Sequence, residues 1–130
     1  MIQEAYCSYE VAKLLNEKGF VQETLMVYNQ NGNFMPNGAI EDTYQVFYSA
    51  PTHQMAMAWL REHGLHINAV ISYDYSVDAD GNEVDRWTFW LFEIFSSFSG
   101  NLIYTEEVNQ YDSYKEAIEA ALKYVLENLI

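Results

Sequence analysis

Apolar and polar positions recur with two different periods along the chain, and the switches between them mark out its elements. In residues 114–130, Tyr114, Ile118, Ala121, Leu122, Val125 and Leu129 fall at three- and four-residue steps. Lys115, Glu116, Glu119, Lys123 and Glu127 fall between them. That spacing predicts an amphipathic helix with one apolar stripe. Ser113 followed by Glu116 is a capping-box signature that sets its start. Ser8 predicts a second helix through Lys18, with Val11, Leu14 and Leu15 as its stripe and Gly19 as its stop. A third opens at Ser49-Ala50-Pro51-Thr52, with proline in the first turn. Met55, Ala56, Trp59, Leu60 and His63 follow at helical spacing, and Gly64 ends the element.

Between the helices the period shortens to two. Residues 65–75 place Ile67, Ala69, Ile71, Tyr73 and Tyr75 on one face of a strand. His66, Asn68, Ser72 and Asp74 take the other, interrupted by Val70. Asp78-Ala79-Asp80-Gly81-Asn82 is a turn, so the next strand returns antiparallel. That return, residues 85–95, is apolar on both faces: Trp87, Phe89, Leu91 and Phe95 against Trp90, Phe92 and Ile94. A strand of this kind belongs in the middle of a sheet covered on both faces, or at an interface. Residues 101–108 predict a third strand after a turn at 96–101. Upstream, residues 24–28 and 43–48 look extended, Asn31-Gly32 is a two-residue turn signal, and Phe34-Met35 begin a return that Pro36-Asn37-Gly38 break.

The order is helix, short strands, helix, three-stranded meander, C-terminal helix. This predicts an α+β fold: a single domain, residues 1–130, with an antiparallel β-sheet and three α-helices packed on it. At 130 residues the chain can bury roughly two-thirds of its unfolded surface, enough for a core without staples.

Charge narrows the partners. Nineteen acids against six bases give a net charge of −13. Clustered Lys and Arg are what neutralise phosphates, so direct nucleic-acid binding is excluded, and with it attraction to anionic membranes. No apolar run is long enough to span a bilayer, and the first residues have neither the basic nor the apolar region of a signal peptide. One cysteine, Cys7, forms no internal disulfide and fits a reducing cytoplasm.

Residues with chemical potential are present but poorly arranged. His53, His63 and His66 lack the i, i+4 spacing of a helical zinc site, and Cys7 is remote. Residues 76–87 look superficially like a calcium loop, but its twelfth position, where a bidentate glutamate is required, is Trp87. Neither metal nor cofactor is therefore expected. Cys7 lacks a neighbouring base and reads as a small buried residue rather than a nucleophile. The pairs Glu41-Asp42 and Glu106-Glu107 are adjacent, and neighbours on a strand point to opposite faces, so Glu106 and Glu107 form no catalytic dyad. Glu93 is a carboxylate inside an apolar strand: either buried with a raised pKa, or at the rim of a face open to water. No phosphate loop, nucleophile elbow, HExxH or dinucleotide fingerprint occurs.

Three stretches carry a resemblance: residues 49–62 (SAPTHQMAMAWLRE), 114–130 (YKEAIEAALKYVLENLI) and 8–20 (SYEVAKLLNEKGF). They resemble segments of a family of small acidic proteins encoded by phages, prophages and genomes of gut anaerobic bacteria. The hairpin between Val70 and Glu83 is longer than that resemblance leads one to expect. The family has no assigned activity, so the resemblance implies a genomic setting and transfers no site residues.

Two function classes remain. The first is a non-enzymatic protein-binding or accessory module using an aromatic sheet face, with Trp87, Phe89, Trp90, Phe92, Glu93, Tyr73 and Tyr75 as interface candidates and a protein, including a second copy of itself, as partner. A sharper variant is an acidic mimic of nucleic acid that blocks a basic protein, which requires carboxylates spaced along one face. The second class is a small enzyme or ligand-binding domain whose pocket would draw on Glu93, Asp74, His66 and Tyr73. The absence of catalytic motifs favours the non-enzymatic class.

Overall fold

The computed structural model describes residues 3–39 and 45–130. The pair Glu41-Asp42 and the start of the strand expected at 43–48 lie outside them. Helix α1 (Tyr9–Glu17) is capped by Ser8, whose side chain accepts from the Val11 N–H at 3.2 Å. Strands β1 (Met26–Asn29) and β2 (Phe34–Pro36) follow, then a 3-10 turn over Asn37–Ala39 and strand β3 (Phe47–Ala50). Helix α2 (His53–Glu62) leads into β4 (Leu65–Val77), β5 (Glu83–Ser96) and β6 (Leu102–Thr105), and helix α3 (Tyr114–Asn128) ends the chain.

The strands form two antiparallel three-stranded sheets, ordered β2-β1-β3 and β4-β5-β6. Helix α1 joins them by packing on both β3 and α3, α3 lies on β4 and β5, and α2 packs on β4 and α3. One core results, built from Val11 and Leu15 of α1, Met57 and Leu60 of α2, Ile67, Phe92 and Ile94 of the second sheet, and Ile118, Leu122 and Leu126 of α3. The three- and four-residue spacing thus does what it predicts, since each stripe turns toward this cluster.

Several boundaries move for local reasons. Pro51 lies outside α2, because Thr52 is the cap: its hydroxyl accepts from the Met55 N–H at 3.2 Å while Ala50 still belongs to β3. Pro51 instead turns its carbonyl to the Cys7 N–H at 2.9 Å. The first strand starts at Met26 rather than residue 24, because the Thr24 hydroxyl donates to the Met26 carbonyl and accepts from the Ala50 N–H. Strand β6 stops at Thr105, short of 108. The next side chain, Glu106, accepts from the Val108 and Asn109 N–H groups at 2.9 and 3.1 Å, which folds the chain into a turn. Glu119, placed by its spacing on the polar side of α3, is half-buried against His53 and Ser8.

Candidate protein-interaction surface

The second sheet is dominated by its long β4–β5 hairpin. Asp78 holds the turn, its carboxylate accepting from the Asp80 and Asn82 N–H groups at 2.9 Å each. The register pairs Ile67 with Ile94, Ala69 with Phe92, Ile71 with Trp90, Tyr73 with Thr88 and Tyr75 with Arg86. Directly opposed residues share a face, so these five pairs line one side of the ribbon. At its base that side is core: Ile67, Phe92 and Ile94 are buried under α2 and α3. Midway, Trp90 is half-buried with its ring edge-on to Tyr114 at 5.5 Å. Beyond it the helices run out, and Tyr73 and Tyr75 are more than half exposed, with Arg86 stacked over the Tyr73 ring at 4.5 Å.

The opposite side pairs His66 with Phe95, Asn68 with Glu93, Val70 with Leu91, Ser72 with Phe89 and Asp74 with Trp87. No residue in this row is buried, so among the described residues no helix covers it. Trp87 is 43% exposed, and Phe89, Leu91 and Val70 shield one another only partly. Strand β5 is therefore central in its sheet but covered on one face only.

The interface candidates consequently divide. Trp87, Phe89 and Glu93 share the open face, and Glu93 sits among half-exposed neighbours at its edge. Tyr73 and Tyr75 lie on the other face near the tip. Phe92 is corrected: at 1% exposure it is a core residue, because alternation along β5 turns it inward opposite Ala69. Trp90 shares that inward face and is available only at its margin.

Of the residues proposed for a pocket, His66 and Glu93 are diagonal neighbours on the open face, but the other two do not join them. His66 and Asp74 lie eight residues apart on one extended strand, roughly 27 Å by the rise per residue, and Tyr73 points to the other face. Two clefts lie elsewhere, one lined by Thr24, Leu25, Asn37 and Met55, another between α1 and α3 beside Glu119 and Lys123. Among the described residues no three His, Cys, Asp or Glu side chains are grouped to hold a metal. Cys7 is fully buried, and burial together with the Glu119 carboxylate pushes its thiol well above the ordinary range, which makes it a poor nucleophile.

One polar arrangement was not signalled by the sequence. His53, 4% exposed, meets Glu119 at 2.6 Å, and the other oxygen of that carboxylate accepts from the Ser8 N–H at 2.9 Å. A carboxylate only accepts, so His53 Nε2 carries the proton in this contact. Burial pushes the Glu119 carboxyl up, but the bonds from His53 and Ser8 outweigh it and hold it below its ordinary value. The pair ties α2, α3 and the cap of α1 together across 66 positions. No short-range spacing could reveal it.

Among the described residues no helix is long and apolar enough to cross a membrane. The chain matches no family model, no curated protein and no solved structure.

Proposed function

We propose that this chain is a non-enzymatic protein-binding module that docks through the open face of the β4–β5 hairpin. The observation that carries this reading is the row Trp87, Phe89 and Leu91 with Val70, apolar and uncovered by any described element. Apolar surface of that kind gains most from being removed from water by a partner. Asp74, Asp85 and Glu93 border the row, so the partner presents an apolar patch ringed by Lys and Arg. The resemblance of the three helical segments supports a phage or prophage setting, and the single buried Cys7 supports a cytoplasmic one.

The test compares wild type with Trp87→Ser/Phe89→Ser as bait in extracts of the source cell, washed at about 0.15 and 0.5 M salt, between which the screening length falls about twofold. The expected result is a basic partner that survives the stronger wash and is reduced at least tenfold by the double substitution. Equal capture by both baits, or capture by neither, refutes the reading.

A further inference from the structure

We propose that the outer edge of β4 pairs antiparallel with β4 of a second copy, joining two three-stranded sheets into one of six strands about a two-fold axis at Val70. The inference rests on the same hairpin as the docking role but uses its edge rather than its open face.

The free edge can be read from the other side of the sheet. Trp90 and Tyr111 exchange both backbone bonds, at 2.7 and 2.9 Å, and the Phe92 carbonyl accepts from the Glu106 N–H at 3.0 Å. These groups of β5 therefore point away from β4. In an antiparallel ladder, bonded and non-bonded pairs alternate, so Ile71 and Ala69, opposite Trp90 and Phe92, also turn their N–H and C=O outward. By the same alternation so do Ile67, Tyr73 and Tyr75. Among the described residues no strand pairs with this row, and its one local partner is the Asp74 carboxylate, which accepts from the Tyr75 N–H at 2.8 Å.

Long edges are normally blunted by lysine, proline, bulges or short length. Strand β4 runs for 13 residues and contains no Lys, Arg or Pro; Asp74 is its one acidic residue. Its one register shift, at Ser76/Val77, falls at the distal end. For a chain of net charge −13 charge opposes self-association, and this long edge carries only one acid to oppose it.

Centring the axis on Val70 gives the remaining carboxylate a hydrogen-bonding neighbour. Asp74 then stands opposite His66 of the second copy, twice, and Asn68 stands opposite Ser72. Tyr73 and Tyr75, exposed in one copy, come beside Ile67 and Leu65 at the margin of the other's core. Ile71, Tyr73 and Tyr75 are each more than half exposed, which for side chains of this size is roughly 100 Å² apiece. The backbone edge of residues 65–75 adds a comparable area, bringing the total to about 600 Å² per partner, the low end of specific interfaces.

Three measurements on the full chain test this. Sedimentation velocity is expected to show a monomer–dimer equilibrium, weakened at least tenfold by Tyr73→Pro. That substitution removes an outward N–H and leaves the bonds to β5 intact. Ile71→Lys, checked by circular dichroism, serves if the proline variant fails to fold. Val70→Cys is expected to cross-link to itself under mild oxidation, because Cα atoms across the axis approach to about 4.5 Å. Ser72→Cys, whose counterpart is four residues out of register, is expected not to. A wild type that stays monomeric, or a dimer that Val70→Cys fails to trap, overturns the inference. Neither result touches the Trp87/Phe89-dependent capture, so the docking role stands or falls separately.

Discussion

Replacing Glu119 with glutamine isolates the charge of the one buried ionic contact among the described residues while keeping the side chain's size. The carboxylate accepts two hydrogen bonds, from Ser8 N–H at 2.9 Å and His53 Nε2 at 2.6 Å. A bond to a charged acceptor contributes about 1.5–3 kcal/mol against about 0.5–1.5 for a neutral one, so losing the charge costs about 1 kcal/mol per bond. The Glu119 side chain is 26% exposed, and screening reduces the total to about 1.5 kcal/mol. At this chain length that lowers Tm at pH 7 by about 5–7 °C. Glu119→Ala, which leaves the buried His53 donor unmatched, costs about 3–4 kcal/mol. The pH dependence carries a definite sign. Glu119 titrates lower in the folded chain than is ordinary, so its contribution is complete above the unfolded value of about 4.3 and fades as pH falls through the folded one. Thermal melts from pH 7 to pH 3 are expected to show the wild type losing its advantage over Glu119→Gln below about pH 4. Identical melting temperatures at pH 7, or a gap that persists unchanged at pH 3, would refute the assignment.

Two further substitutions test the packing around the hairpin. Phe92→Ala is expected to cost about 3–5 kcal/mol in urea unfolding because it hollows the core, whereas Phe89→Ala, three positions earlier on the open face, is expected to cost under about 1 kcal/mol; similar values would mean that the register is wrong. Gly64 has φ +87°, and a Cβ there would lie 2.6 Å from the Phe98 ring, so Gly64→Ala is expected to cost about 1–3 kcal/mol. Adding Phe98→Ala is expected to recover the steric part and leave the backbone part, which a double-mutant cycle by thermal melts separates.

What was legible in the sequence follows the range of the forces involved. The C-terminal helix was readable because its period, its cap at Ser113 and its buried stripe act within a few residues of one another. The hairpin was readable because Asp78 and Gly81 fix a turn and β4 alternates cleanly. Which of the two apolar faces of β5 is covered was not readable, since that depends on α2 and α3 lying on the Phe92 side and leaving the Phe89 side bare. The interface set Trp87, Phe89, Trp90, Phe92 therefore mixed both faces. His53 and Glu119 stand apart in the sequence for the same reason: one has the chemistry of a metal ligand and the other the spacing of a surface charge, and only the packing of α2 against α3 brings them together. The division of the strands into two sheets likewise rests on α1, which lies between β3 and α3 and shares no local pattern with either sheet.

The alternation along β4 leads to a prediction that separates a free hairpin from a paired one without any substitution. A two-stranded ribbon is marginal in water without a third strand or a packed face, and residues 72–77 extend past the Trp90–Tyr114 contact with neither. In a single copy the amides of Ser72 and Asp74 bond to β5 and that of Tyr75 to the Asp74 carboxylate at 2.8 Å, while those of Ile71 and Tyr73 face solvent. Exchange at the second group should then approach that of an open chain, and exchange at the first should be limited by local opening of the tip. Pairing with a second β4 closes the outward row from Ala69 to Tyr75 and protects both groups together. Residue-resolved hydrogen exchange at a series of protein concentrations is therefore expected to show a two-residue sawtooth in dilute solution that flattens as concentration rises, while Ala79 in the turn stays fast throughout. A sawtooth that persists at every concentration would leave β4 a free edge, and one with the opposite parity would mean that the backbone direction inferred from Trp90 and Tyr111 is wrong.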